Sequence, residues 1–290
     1  MKLRSLTARR EWIAACCFLF PSAAGFSIFY LIPFMQSIGI SLRNTPNFGG
    51  LTLKYYAEVL GSPSFQNAAV NTFWFTAISV PLLVFVSLGL ALLLNRQVVL
   101  RKWLRAGFVL PLVIPAASIG LVWQILFDWN GTINAVLAGW GYPHTDWFKS
   151  EWARLVILSI YVWKYVGYNV VLYLAGLQNI PASYYEIAEL EGAGPIRKGF
   201  TVTLTYLTPT TFLVTLMSIL NSFKAFRETY LLAGAYPHDS IYMMQHYMNN
   251  MFLALDDQKL SAAAVLTATG IFGLVIAFQR TERKFRSFME

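Results

Sequence analysis

Charged residues are spaced so that the chain reads as long apolar stretches divided by short polar segments: Trp12 to Leu42, Val59 to Asn95, Ala106 to Phe127, about Trp152 to Leu177, Gly199 to Phe223 and Leu260 to Gln279. A helix needs about 20 mainly apolar residues to cross the hydrocarbon layer, where every backbone amide and carbonyl must be paired within the protein. Each stretch meets that length, so the pattern predicts an all-α polytopic membrane protein with six transmembrane helices. The fourth stretch carries a charge in its interior, Lys164. Pro33, Pro81, Pro111 and Pro115 fall inside the stretches; membrane helices tolerate them because neighbouring helices re-pair the freed backbone groups.

Composition supports this reading, since 57% of the 290 residues are hydrophobic and 12% are charged, too few for a water-facing surface. The basic residues then orient the chain. Lys2, Arg4, Arg9 and Arg10 precede the first stretch; Arg96, Arg101, Lys102 and Arg105 follow the second; Arg197 and Lys198 follow the fourth; Arg280, Arg283, Lys284 and Arg286 follow the sixth. The opposite connections hold only Arg43, Lys54, Lys149 and Lys259. This asymmetry places both termini and the loop after the fourth span in the cytoplasm. Residues 1–11 are expected to form a basic cytoplasmic tail, 12–280 the membrane domain, and 281–290 a second cytoplasmic tail.

The same placement accounts for the net charge of +8 without nucleic acid. Trp103, Trp129, Trp140, Trp147 and Trp152 lie near span ends, as interfacial aromatics do. Cys16 and Cys17 are adjacent in the first span, which builds neither a disulfide framework nor a four-ligand metal site and leaves them as small packing residues. The connections at about 43–67, 128–151 and 233–259 carry Asn-Gly, Pro-His and Asp-Asp pairs, which predict turns and short surface helices.

Between the fourth and fifth spans runs PASYYEIAELEGAGPIRKGFTVTLTYLTP, Pro181 to Pro209. Ser183 with Glu186 three residues on has the spacing of a capping box, and the helix it opens is expected to stop at Gly192. Gly192, Gly194 and Pro195 then permit a sharp turn into a second, basic segment, giving a bent helix-turn-helix.

This stretch resembles the EAA loop of binding-protein-dependent ABC importer permeases, the MetI-like superfamily. Its pattern is Glu-Ala-Ala, three residues, Gly, nine residues, then Ile-x-Leu-Pro. Glu186, Ala188, Gly192 and Leu204 fall on that spacing, Val202 replaces the isoleucine, and Glu191, Gly192, Ala193 resemble the family's Asp-Gly-Ala. Ile187 and Thr205 depart from it, standing where alanine and proline are usual. The likeness covers most of the chain and is closest to the carbohydrate branch, of the maltose and glycerol-phosphate type. Leu31, Ile32, Pro33, the Ala-Leu-Leu-Leu-Asn run at 91–95 and the entry Leu110 to Pro115 carry it.

The resemblance implies the type I importer permease fold, with 178–205 as a coupling loop seated on a nucleotide-binding subunit through Glu186, Ala188, Glu189, Glu191, Gly192 and Ala193. It implies a second permease chain, two ATPase subunits, an extracytoplasmic solute-binding protein and a sugar or oligosaccharide as cargo. Sugar importers of this kind often join two different permeases, so a heterodimer is expected. The chain has no phosphate loop: Gly194 to Gly199 has the glycine separation but Phe200 where the lysine belongs. No cofactor is therefore expected in this chain, ATP and magnesium being the partner ATPase's to bind.

Charged and amide groups at membrane depth usually face a protein interior or a wet path. Lys164, Tyr168 and Asn169 on the fourth span, and Asn221, Lys224, Arg227 and Glu228 at the end of the fifth, are the candidates for lining a sugar's route. Lys224 and Glu228, at i and i+4, are equally placed to form an ion pair with each other. Arg154, near a span end, is expected to snorkel. An ion-coupled carrier is the alternative function, and it requires a working carboxylate at depth, for which Glu228 is the one available. Membrane enzyme chemistry is the weaker alternative, since His144, His238 and His246 lack metal-ligand or triad spacing.

Overall fold

The computed structural model describes residues 2–43, 50–95 and 101–286; Arg96 and the last residues of the expected C-terminal tail lie outside them. Helices make up nearly all of it, and among the described residues β structure amounts to an isolated bridge, Arg43 to Leu51. Among the described residues, five continuous helices are long and apolar enough to cross a membrane: Ala14–Leu42, Pro63–Asn95, Ala153–Gln178, Pro195–Ala233 and Asp257–Lys284. A bent pair, Ala106–Val113 and Ala116–Gly139, makes a sixth crossing if taken as one.

The third apolar stretch, Ala106 to Phe127, falls on that pair and is bent, its halves meeting at 101°. Helix α5 (Arg101–Val113) ends just before Ile114–Pro115, and α6 (Ala116–Phe127) starts just after, with Pro115 in an extended conformation. A residue preceding proline is pushed out of the helical region, and Ile114 is such a residue. The other prolines are absorbed without breaks: Pro21 lies in the first helix (Lys2–Phe26), and a π-helical turn, Ser27–Leu31, precedes Pro33.

The described residues form two compact units. The first comprises the described residues of 2–62 and 251–271, including α1 (Lys2–Phe26), α2 (Ile32–Leu42), α3 (Lys54–Gly61) and the first half of a long terminal helix. The Ser41 and Tyr56 hydroxyls, 2.7 Å apart, join α2 to α3, and Lys259 reaches Glu58 at 3.5 Å. The first helix starts at Lys2 and runs through the expected tail without interruption. Cys16 and Cys17 are exposed on it, so within the chain they do not have the packing role expected of them.

The second unit holds α4 (Pro63–Asn95), α5, α6, α7 (Thr132–Gly139), α8 (Ala153–Gln178), α9 (Ala182–Leu190), α10 (Pro195–Lys198), α11 (Thr205–Ser222), α12 (Phe226–Ala233) and most of α13 (Met244–Leu253). Helix α8 is its centre, in contact with α4, α5 and α11. Half of its apolar window is buried, by Ile157, Ile160, Val170, Tyr173 and Leu174 among others. Hydroxyls along the spans return bonds to the preceding turn, as Ser87 does to the Leu83 carbonyl at 2.6 Å and Thr215 to Thr211 at 2.7 Å. Such bonds leave fewer donors unpaired where water is absent.

Two glycines let neighbours lie against α8. A β-carbon at Gly167 would overlap the Phe108 carbonyl of α5, and one at Gly176 would stand 2.5 Å from Thr210 Oγ1 of α11. The segment after α12 is tied to α4 by amides: Asn71 donates to the carbonyls of Asp239 at 2.6 Å and Tyr242 at 3.0 Å. On α13, His246 is fully buried, accepts the Met243 amide at Nδ1, and meets the Phe226 ring edge-on.

Gly167→Ala is expected to cost about 3 kcal/mol or more, because backbone rather than a flexible side chain must move. It should lower the melting temperature in detergent, whereas Gly89→Ala, inside α4 with open space around it, should not lower it. Burial pushes the His246 imidazole down from 6.5 to about 4. The unfolded chain therefore takes up this proton first, and stability is lost as pH falls from 6.5 towards 4, by up to about 1.4 kcal/mol per pH unit. Melting curves between pH 7.5 and 4.5 should show that loss, and His246→Gln should flatten it.

Candidate coupling hairpin and polar wall

Helix α9 runs Ala182–Leu190, but its start is not the expected capping box. Pro181 occupies the N-cap in an extended conformation and no side chain caps the helix. Proline's fixed φ and the bias it places on Ile180 set the boundary ahead of Ser183. The far end follows expectation: Glu191 is the C-cap, Gly192 adopts φ +77, and the Ala193 amide bonds the Ala188 carbonyl at 2.8 Å. A left-handed residue there strongly favours glycine. Pro195 then opens α10, which ends in Arg197 and Lys198.

Side chains brace the resulting hairpin. Lys198 Nζ lies 3.4 Å from Glu189 Oε2, the Tyr185 and Thr203 hydroxyls are 3.0 Å apart, and the Tyr184 and Tyr206 rings meet at a tilt of 48° with centroids 4.6 Å apart. Glu186, Glu191 and Gly192 are exposed, while Ala188 and Ala193 are half-buried inside the turn. The residues missed by sequence reasoning are apolar: Leu190 is 89% exposed and Ile196 79%, with Ile187 beside them at 53%. Large aliphatic side chains held out by a braced turn among charges mark a surface built to be covered. The signal was present in the sequence as isolated aliphatic residues between glutamates and basic residues.

At depth the polar residues do not assemble as expected. Glu228 pairs with Lys164 of α8, not with Lys224, its neighbour at i−4. Both partners are nearly buried, with side-chain exposures of 11% and 5%, and the Lys164 ammonium also sits 5.2 Å from the centre of the Tyr165 ring. Burying a carboxylate is costly unless a cation is buried with it, and Lys164 supplies that cation where the exposed Lys224 cannot. Lys224 instead approaches Asn221 Oδ1 at 3.4 Å, and Arg227 is exposed.

Asn169 donates to Ser218 Oγ at 2.9 Å and Tyr161 donates to the Ser218 carbonyl at 2.7 Å, fastening α8 to α11. Tyr168 is half-buried. The candidates thus divide: Lys164, Asn169 and Glu228 are spent within the chain, while Asn221, Lys224 and Arg227 keep accessible surface. Arg154 is anchored rather than free, its Nε donating to the Ser240 carbonyl at 3.1 Å. His144 and His238 contact Trp129 and Ser240, and among the described residues no group of three potential ligands is placed for a metal.

Residues 84–287 match the model of the binding-protein-dependent transport system inner membrane component family. The chain is 30% identical to the sulfoquinovosyl glycerol transport system permease protein SmoG of Agrobacterium fabrum, over 88% of this chain and 85% of that protein. It is also 30% identical to the arabinooligosaccharides transport system permease protein AraP of Bacillus subtilis, over 74% and 70%. In fold it resembles a chain of a bacterial ABC transporter that imports the acidic polysaccharide alginate, with a TM-score of 0.83 and 21% identity over 98% and 99% of the two chains.

The buried pair can be tested by replacement. Lys164→Met or Glu228→Leu alone strands one buried charge and should cost about 3–5 kcal/mol, whereas the double variant should recover most of it. Thermal unfolding of the purified variants would read this directly, and equal losses in single and double variants would show that the pair carries more than mutual compensation.

Proposed function

Because the chain belongs to the binding-protein-dependent transport system inner membrane component family, we propose that it forms half of the translocation pathway of a sugar or oligosaccharide importer, opposite a second and different permease chain. An extracytoplasmic solute-binding protein delivers the cargo. Two ATPase subunits, which hold the ATP and its magnesium, sit against the 178–205 loop. Both termini and that loop face the cytoplasm, in keeping with the flanking basic residues.

The observation that carries this reading is the braced hairpin, with Ile187 and Leu190 exposed among Glu186, Glu189 and Glu191 and Ile196 exposed beside Arg197. Seated in a groove of an ATPase, those aliphatic residues supply the buried centre of the contact and the glutamates its polar rim. Gly192 and the Lys198–Glu189 contact keep the hairpin one piece, so displacement by the ATPase passes into the span that begins at Pro195.

The carbohydrate cargo rests on what the relatives' names say they carry, sulfoquinovosyl glycerol and arabinooligosaccharides. Asn221, Lys224 and Arg227 line the route, and Lys164, Tyr168, Asn169 and Glu228 form its supporting wall. Glu228 is engaged by Lys164, which favours nucleotide-driven transport over a carrier that cycles a free carboxylate.

Leu190→Asp combined with Ile196→Asp should lower binding-protein-stimulated ATP hydrolysis at least tenfold, the loss of one strong interface anchor or more. The ATPase subunits should no longer copurify, while the amount of chain in the membrane stays at the wild-type level. Undiminished ATP hydrolysis in that variant would remove the hairpin from the coupling path.

A further inference from the structure

A cavity of about 590 Å³ opens in the second unit, away from the hairpin, where the end of α6, the 128–150 connection and the turn after α12 meet. The charge asymmetry assigns this end of the spans to the outside. The cavity contains neither the polar wall nor Asn221, Lys224 or Arg227. Its size is that of small-ligand sites, about 300–1,000 Å³.

Its walls are fixed from behind. Asn134, fully buried, donates to the carbonyls of Asp128, Trp129 and Thr145 at 2.9–3.2 Å, and its Oδ1 accepts the Thr145 amide and the Trp147 indole N–H. One amide side chain thereby sets the path of the backbone on which Asp128, Trp129 and Asp146 stand. Across the cavity, His238 accepts the Ser240 amide, and Arg154 holds the Ser240 carbonyl. The site is shaped before any ligand arrives.

The lining has two kinds of group. Trp129 and Tyr236 are 53% and 77% exposed and offer aromatic faces. Asp128 and Asp146 each use Oδ1 to accept a local backbone amide, from Asn130 at 3.0 Å and Lys149 at 3.2 Å; Lys149 Nζ lies 3.8 Å from the second Asp146 oxygen. Asp128 keeps its second oxygen for a ligand, and Gln124 adds an amide.

Carboxylate and amide groups accept from paired hydroxyls, and aromatic faces cover the C–H surface of a sugar ring. With Lys149 matched by Asp146, the Asp128 carboxylate leaves the lining negative, which disfavours uronate, phosphate or sulfonate groups.

We propose that this cavity is an outer receiving subsite on the permease itself for an uncharged sugar unit, occupied before cargo reaches the deeper residues. The proposal rests on the sugar-importer reading and adds to it a second place and a charge class.

The test uses the assembled complex in lipid nanodiscs without its binding protein. Arabinotriose and lactose are the uncharged probes, and an alginate trisaccharide is the anionic one. The uncharged sugar that raises ATP hydrolysis when its binding protein is added serves in a saturation-transfer NMR titration. It should bind saturably, with affinity at least tenfold lower in Asp128→Asn/Trp129→Leu, and the alginate trisaccharide should bind at least tenfold more weakly. Trp129→Phe should restore most of the affinity, which a merely folding-defective variant would not allow.

Absence of saturable binding by a sugar that does drive hydrolysis overturns the subsite and leaves the importer reading intact. So does equal binding by the double variant or by the alginate trisaccharide. Loss of binding-protein affinity with sugar binding unchanged makes the cavity a protein-docking surface instead. If neither uncharged sugar drives hydrolysis with any sugar-binding protein but the alginate trisaccharide does, the uncharged class falls; if none of the three does, the sugar reading falls and takes the subsite with it.

Discussion

Helix α8 has to sit in hydrocarbon with a lysine in its middle and with neighbours close enough to cover it. At Gly167 the Phe108 carbonyl occupies the place of a β-carbon, and at Gly176 the Thr210 side chain does nearly the same. Without such approaches the flanking helices would stand farther off, and van der Waals contact, the main attraction between helices in lipid, would weaken. The cover also permits the Lys164–Glu228 pair, because a buried ion pair is tolerated only where its geometry is held. Asn169, bonded to Ser218, and Tyr161, bonded to the Ser218 carbonyl, lie on the same helix and depend on the same closeness.

How much of this could be read from the amino-acid order follows from the range of each interaction. Hydrocarbon imposes a length and a polarity on every crossing, so the apolar stretches translate almost directly into Ala14–Leu42, Pro63–Asn95 and the other helices. The stop of α9 at Gly192 was also visible, because a left-handed residue followed by Gly194-Pro195 is a local property. Direction was not: hydropathy treats Ala106 to Phe127 as one stretch and is blind to the corner that Ile114 and Pro115 force.

Partners distant in sequence were the other gap. Glu228 has a cation one turn away in Lys224, and spacing alone selects it; burial selects Lys164, which only the folded chain brings near. Ser183 and Glu186 have capping-box spacing, yet Pro181 already fixes where the helix begins. Leu190 and Ile196 escaped notice because averaging over a charged loop hides two aliphatic side chains whose significance is their exposure. The seam between Asn134 and the 128–147 backbone is likewise invisible until the turn closes on it.

Just past the hairpin, within the span that begins at Pro195, lies the π-helical turn Gly199–Leu204. Such a turn carries one residue more than an α-turn, and each α-helical residue advances the direction of its side chain by about 100°. Ser218 and Asn221 therefore point a quarter-turn or so away from the bearing that an unbroken continuation of Pro195–Lys198 would give them. The extra residue acts as a phase offset: it lets the hairpin and the polar edge that carries Asn221 face different directions while belonging to a single rod.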